Sequence, residues 1–334
     1  MTLCSSLTQV VALEDQTQIG EARRSAQKLA QQLGFDENDC GRVALVATEL
    51  ASNTLKHAAH GELHLRTLPA LNAIELIAVD RGPGFELQDC LVDGFSTRGT
   101  QGIGLGALLR QSEVFDTYSD ARGSVVMVRL FANRQRDADF AVGISQHSLH
   151  DDPACGDAWQ IMREGKLLSV LVVDGLGHGP EAEVAAQAGC KAFGRSPHGS
   201  PAVLFDDMHS AMNGTRGGAV AVAQFNADLG HLRFTGIGNI GGYLINPEKS
   251  RGLASHPGIV GVHFRRAQSF DFPEASGQLL IMFSDGLQSR WSLQQYPGLV
   301  HRHPSVIAAV LHRDCCRGRD DVTVIVIALE AADV

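Results

Sequence analysis

Apolar positions recur at helical spacing over residues 15–34 and 37–59, where Leu29, Leu33, Val43, Val46, Ala47 and Leu50 fall on one face. Two helices are expected there, with Gly34 and Gly61 as their C-terminal stops. The runs ELHLRTL and AIELIAV then predict strands, followed by a glycine-rich stretch over 81–106, a helix near 105–113 and a strand SVVMVRLF ending at 131. The polar ANRQRDAD comes next, and a linker at 133–139 separates a domain of residues 1–132 from one of residues 140–334. Beyond it, FAVGISQHSL, AWQIMREGKLLSVLVVD, GGAVAVAQFNADLGHLRFTGIGNIGGYLI, QLLIMFSD and VTVIVIAL are strand-rich, broken by helices at 180–193, 201–213 and 303–314. Strands meeting in hairpins with few helices predict an α+β sandwich, sheets inside and helices outside.

Composition supports two folded domains. The chain has 334 residues, 44% hydrophobic and 19% charged, whereas disorder needs fewer apolar residues and more net charge. Its net charge of −9 is spread without a basic stripe, which argues against nucleic acid as a partner. No basic segment leads into a sustained apolar stretch, so neither secretion nor a membrane span is expected. Seven scattered cysteines without CxxC spacing fit a reducing, cytoplasmic compartment.

In the helix 37–59, Glu49 and Asn53 lie four residues apart and share a face. Glu49 could accept a proton, and the Asn53 carbonyl oxygen suits Mg²⁺ beside phosphates, although a solvated helix face would look the same. The strand AIELIAV runs into Asp80, Gly82 and Gly84, a carboxylate followed by glycines that permit close approach of a planar ligand such as adenine. Gly99, Gly102, Gly104 and Gly106 then precede a helix, where free amides can bind phosphate. A Rossmann reading fits poorly, because the glycines come too late after the strand.

The order ELASN, DRGPGF, GIGLG resembles the N, G1 and G2 boxes of the Bergerat-fold (GHKL) ATPases, which include histidine kinases and anti-sigma-factor kinases. VALVATELASNTLKHA and DGFSTRGTQGIGLGALL look closest to the small switch-type serine kinases of stress-response pathways, over residues 8–131. The resemblance implies ATP at Asp80, Gly82 and Gly84, Mg²⁺ at Asn53, phosphates under Gly102, Gly104 and Gly106, and Glu49 as general base. A histidine kinase would need a phosphoacceptor His before this module, and the first histidine is His57.

In the second half, Asp157, Asp174, Asp285 and Asp320–Asp321 stand at strand ends or turns. Each alone reads as a turn residue; together they can pool carboxylates into an oxygen-rich site for Mg²⁺ or Mn²⁺. DGLGHG, TRGGAVAVAQF and FTGIGNIGGYLI resemble the bacterial branch of the PPM metal-dependent phosphatases, which includes the sporulation phosphatase, over roughly 140–329. That resemblance implies two Mn²⁺ or Mg²⁺ with Asp174 and the Gly175 carbonyl lying between them and Asp157, Asp285 and Asp320 alongside, with Asp174 and Asp285 catalytic. Asp320 is preferred to Asp321, and no counterpart is evident for the phosphate-binding arginine of eukaryotic members.

The two resemblances together imply a fold of two domains, a Bergerat-fold α/β sandwich and a PPM β-sandwich flanked by helices. They imply a kinase and phosphatase of STAS-domain proteins on Ser or Thr in partner switching, with a sigma-factor regulator as a further partner. The alternatives are an ATP-sensing module joined to a phosphatase that is the sole activity, and a non-enzymatic scaffold.

Overall fold

The computed structural model describes residues 1–85, 105–135 and 140–330. The chain opens with β1 (Thr2–Cys4), β2 (Gln9–Leu13), α1 (Thr17–Gln32), α2 (Glu37–Ala58), β3 (Gly61–Leu68) and β4 (Ala73–Asp80). Then come α3 (Leu105–Gln111), β5 (Val114–Asp120), β6 (Gly123–Phe131), β7 (Val142–His147), β8 (Asp157–Glu164) and β9 (Leu167–Gly175). These are followed by α4 (Pro180–Phe193), α5 (Pro201–Met212), β10 (Gly218–Asn226), β11 (His231–Ile237) and β12 (Gly241–Ile245). The short strands β13 (Ser250–Gly252), β14 (Gly258–Ile259), β15 (His263–Phe264) and β16 (Ser269–Phe272) lead to β17 (Leu279–Phe283), α6 (Pro304–Cys315) and β18 (Val322–Ala328).

The chain forms two compact units, and each draws on both ends of the sequence. One contains Thr8–Phe140 and His301–Arg313; the other contains Met1–Leu7, Ala141–Val300 and Asp314–Val334. This differs from a division at 133–139 in two ways, each with a physical reason. Residues 2–4 pair antiparallel with β8, Thr2 opposite Met162 and Cys4 opposite Gln160, so the N-terminus is an edge strand of the second unit. The segment His301–Arg313, which holds most of α6, covers a charged sheet face of the first unit, with Ser305 on Glu75 and Arg129.

That first sheet has the antiparallel order β2-β3-β4-β6-β5. One face supplies Leu63, Leu65, Ile74, Leu76, Val126 and Val128 to a core shared with Val43, Val46, Ala47 and Leu50 of α2. Strand pleating sends alternate side chains to the other face. There Arg66 stands opposite Glu75 and Glu75 opposite Arg129, a buried row of charges across three strands. α2 is started by Asp36, whose carboxylate accepts from Asp39 N at 2.8 Å, and ended by Lys56 and His57 at the negative end of the helix dipole. Gly34 has φ +80 beyond α1, as a helix stop requires, but Gly61 does not end α2. Ala59 takes the positive φ there, and Gly61 is already in β3, where a Cβ would meet Val79 O at 2.6 Å.

The second unit is a sandwich of a six-stranded sheet, β1-β8-β9-β10-β11-β16, and a five-stranded sheet, β13-β12-β17-β18-β7. α4 and α5 cover the outer face of the larger sheet, with Leu171, Val173, Val220, Val222, Phe193 and Met208 in that core. Alternate residues of the same strands face the other sheet, and Trp159 Nε1 donates to Gln146 Oε1 across the gap at 2.8 Å.

Candidate functional site

In the first unit the predicted ATP-site residues occupy one helix and one strand end. Glu49 and Asn53 lie one turn apart on α2, both half-buried, while Lys56 and His57 are exposed. Asp80 closes β4, and its Oδ1 accepts from Gly82 N at 2.8 Å and Ser124 N at 3.2 Å. Burial pushes the Asp80 carboxyl up, against the pull of those two N–H groups and of Arg313 and His57.

The loop behind Asp80 is tied to the β5–β6 hairpin, since Phe85 N donates to Ser119 Oγ at 2.7 Å. Both glycines are needed by the chain's own packing. A Cβ on Gly82 would meet Ala58 Cβ at 2.7 Å, and one on Gly84, at φ +78, would meet Asp120 O at 2.4 Å. Close approach was expected toward a ligand; the structure shows it toward α2 and β5. Gly106 lies in the first turn of α3, whereas Gly102 and Gly104 fall outside the described residues. Asp80 is an acceptor at a strand end whose loop packs on Ala58 at the end of α2, the helix that carries the half-buried Glu49 and Asn53, and these residue types fit an adenine nucleotide with its metal.

In the second unit the aspartates come from both sheets. Asp157 begins β8, Asp174 precedes Gly175 at the end of β9, and the register sets Asp157 opposite Asp174. From the other sheet, Ser284–Asp285 follow β17 and Asp320–Asp321 precede β18. Ser284 joins the two, donating to Asp157 Oδ2 at 2.6 Å while its oxygen accepts from Thr323 N at 2.9 Å. Asn239 Nδ2 donates to Asp285 Oδ2 at 2.7 Å. Asp321 is occupied otherwise: its carboxylate accepts from Leu149 N at 2.7 Å and Gly156 N at 2.6 Å, holding the turn that leads into β8.

Burial raises the Asp174 carboxyl, and the charges of Asp157, Asp285 and Asp320 raise it further. Burial likewise outweighs the Ser284 and Thr323 bonds at Asp157, and Asp285 is pushed up by burial and by Asp320. Carboxylates forced together at such cost, with hard oxygen donors and no sulfur or imidazole among them, fit a divalent Mg²⁺- or Mn²⁺-type centre. Asp320 acts on all three neighbours, while the neighbouring Asp321 spends its oxygens on backbone.

Ser284 and Asn239 escaped the sequence reading. Ser-Asp-Gly after a strand looks like a turn, and Asn239 sits in GIGNIGG, where Asn and Gly read as turn residues. His178, in the same loop as Gly177, is exposed.

These sites and folds define a histidine-kinase-like ATPase module and a PPM-type phosphatase module in one chain. A family model described as histidine kinase-like ATPase domain matches residues 12–130, and that of stage II sporulation protein E (SpoIIE) matches residues 164–330. The serine/threonine-protein kinase RsbT of Bacillus subtilis (strain 168) is 32% identical over 103 residues, 30% of this chain and 77% of that protein. A solved chain described under "The bacterial stressosome: a modular system that has been adapted to control secondary messenger signaling" is 26% identical, with TM-score 0.53. That match covers 57% of this chain and 99% of the other. The chain belongs to the partner-switching signalling proteins, with an RsbT-like kinase module of the histidine kinase-like ATPase family and a phosphatase module of the SpoIIE family.

Proposed function

We propose that this chain both phosphorylates and dephosphorylates a STAS-domain regulator on Ser or Thr. The observation that carries it is the presence in one chain of two acid-bearing sites of opposite chemistry, one around Glu49, Asn53 and Asp80 and one around Asp157, Asp174, Asp285 and Asp320.

In the kinase site, Asp80 takes the adenine amino group and Asn53 a Mg²⁺ beside the phosphates. Glu49, one turn away on the same helix, accepts the proton of the attacking hydroxyl. Gly82 and Gly84 keep the loop closed against Ala58 and Asp120, so that Asp80 is presented rigidly. In the phosphatase site, Asp157, Asp174, the Gly175 carbonyl, Asp285 and Asp320 would hold two Mn²⁺ or Mg²⁺. Such ions supply charge to the phosphoryl oxygens and acidify a water. Ser284 fixes the rotamer of Asp157 and Asn239 that of Asp285. A cytoplasmic location belongs to the same reading, and the free thiols of Cys40, Cys155 and Cys190 accord with it. No described helix is long and apolar enough to cross a membrane.

A second reading, an ATP sensor whose phosphatase is the sole activity, is favoured by one contact. Arg81, next to Asp80, donates to the Arg313 carbonyl of α6, so the nucleotide loop is tied to a helix from the far end of the chain. The two readings separate in a phosphate-resolving gel with full-length protein, ATP, Mn²⁺ and a cognate STAS protein. Asp174→Ala should accumulate phosphorylated partner and Glu49→Ala should abolish it. No phosphorylated partner with Asp174→Ala, while ATP still binds, would leave the sensor reading.

A further inference from the structure

Arg216 lies in the turn that enters β10, and the residues on either side of it are braced. Thr215 N donates to Met212 O at 3.1 Å, Gly217 N to Thr215 Oγ1 at 3.1 Å, and Leu176 N to Gly217 O at 3.0 Å. Gly217 has φ +70, and a Cβ there would meet Val260 O at 2.6 Å, so the turn admits little change. The strand register then sets Gly218 opposite Gly175 and Ala219 opposite Asp174. Arg216 is therefore delivered, two and three residues ahead of these pairings, to the rim of the carboxylate cluster.

Its side chain extends along the segment that follows Asp174. Nη1 lies 3.5 Å from the Leu176 carbonyl, and a Cβ on Gly177 would stand 3.0 Å from that nitrogen. Nη2 pairs with Glu181 in the first turn of α4. Both partners face water, with 44% of the Arg216 side chain and 73% of the Glu181 side chain exposed. An exposed pair of this kind contributes little to stability and exchanges readily. A guanidinium whose planar fork of donors is held only by an exposed carboxylate and a long contact to the Leu176 carbonyl can turn to an arriving anion. A phosphoryl dianion outcompetes one exposed carboxylate for that fork.

We propose that Arg216 grips the phosphoryl group of the substrate at the mouth of the Asp174 cluster, leaving Glu181 as it does so. The proposal rests on the phosphatase reading and deepens it: phosphate recognition comes from the β10 entry turn. Glu181 is the resting partner that keeps the guanidinium extended over Leu176 and Gly177 while the site is empty of substrate.

The test uses the full chain with Mn²⁺, inorganic phosphate as the probe ligand and an aryl phosphate as the probe substrate. Arg216→Ala should raise both the dissociation constant of phosphate in calorimetry and the KM for the aryl phosphate by about tenfold, the loss expected of one charge-assisted contact. The Mn²⁺ half-saturation and Tm should stay at wild-type values. Arg216→Lys should recover part of the loss, and Glu181→Gln should tighten phosphate binding by freeing the guanidinium. Unchanged phosphate affinity in Arg216→Ala would overturn the proposal. A parallel rise in the Mn²⁺ half-saturation would do so too, because Arg216 would then only tether the Leu176–Gly177 loop. If the wild-type chain hydrolyses no phosphate ester, the phosphatase reading fails, while phosphate calorimetry still decides for or against Arg216.

Discussion

Ser305 on α6 donates its hydroxyl to Glu75 Oε2 at 2.6 Å, across 230 residues of sequence. Arg129 Nη2 reaches the same carboxylate oxygen at 2.8 Å and Ser305 Oγ at 3.2 Å, and all three side chains are buried. The charged face of the first unit's sheet is thus completed by a helix encoded inside the stretch that the SpoIIE family model matches, before the last strand of the second unit. His303 N and Arg302 fasten the start of that helix to Asp116 of β5, and Arg313 approaches Asp120 at its end.

A fragment ending at residue 135 lacks this cover and leaves Glu75, Arg129 and Arg66 with a face built for burial. Such a fragment should melt at lower temperature and less cooperatively than the same unit in the full chain. Ser305→Ala in the full chain should cost about 1–3 kcal/mol, because two buried charged groups lose a hydroxyl partner. Denaturant unfolding checks this, and an unchanged midpoint for Ser305→Ala would show that the contact carries no stability.

Glu75 gives the same contact a pH signature. Burial pushes its carboxyl up, but Arg129, Arg66 and the Ser305 hydroxyl outweigh that, and the group sits below its ordinary value of 4.5. A carboxyl depressed in the folded state contributes stability that is fully present above its unfolded pKa and is lost as pH falls through the folded one. The first unit should therefore lose stability below about pH 4.5. Thermal melts from pH 7 to pH 3 should show a flatter acid limb for Glu75→Gln; equal slopes for the two proteins would assign acid sensitivity elsewhere.

Strand-end carboxylates were legible because Asp174 and Asp285 each follow an apolar run and precede Gly, a pattern local enough to read along the chain. The helix at 303–314 was legible as a helix, and its partner was not. Periodicity marks which face of α6 is apolar, but nothing local says which sheet that face covers. The charges that receive it, Arg66, Glu75 and Arg129, lie inside strands that were expected, but nothing in those runs showed that they would be buried and need a partner. β1 and β5 were missed because an edge strand of three residues and one reading VFDTYSD carry little alternation.

Ser284 and Asn239 hold the carboxylates of Asp157 and Asp285, the proposed metal ligands, and the effect of losing them is separable from losing a ligand. Ser284→Ala strips Asp157 of a 2.6 Å donor and Asn239→Ala strips Asp285 of one at 2.7 Å, while both carboxylates remain. Partners that orient metal ligands are typically worth 10- to 100-fold in metal affinity. Each variant should raise the Mn²⁺ half-saturation by about that factor, with phosphatase activity returning at high Mn²⁺, whereas Asp174→Ala should not recover. Chelator should abolish wild-type activity. A wild-type Mn²⁺ dependence in both variants would place the metals away from Asp157 and Asp285.

Asp80 has two jobs that one substitution can separate. Its Oδ1 holds the loop through Gly82 N and Ser124 N, and under the proposed function its carboxylate is also the acceptor for an adenine amino group. Asparagine keeps a carbonyl-type oxygen for the two N–H groups but presents an NH₂ where the second carboxylate oxygen was. Asp80→Asn should thus leave Tm close to wild type and weaken Mg·ATP binding by about 1–3 kcal/mol, the cost of leaving a ligand donor without its acceptor. Asp80→Ala should lose both the loop and the nucleotide. Gly84→Ala gives the converse control, since its Cβ would meet Asp120 O at 2.4 Å with the backbone at φ +78, so affinity should fall together with Tm. Calorimetry of Mg·ATP against the full chain reads all three, and an Asp80→Asn protein that binds ATP like wild type would remove Asp80 from the nucleotide site and leave it only the loop.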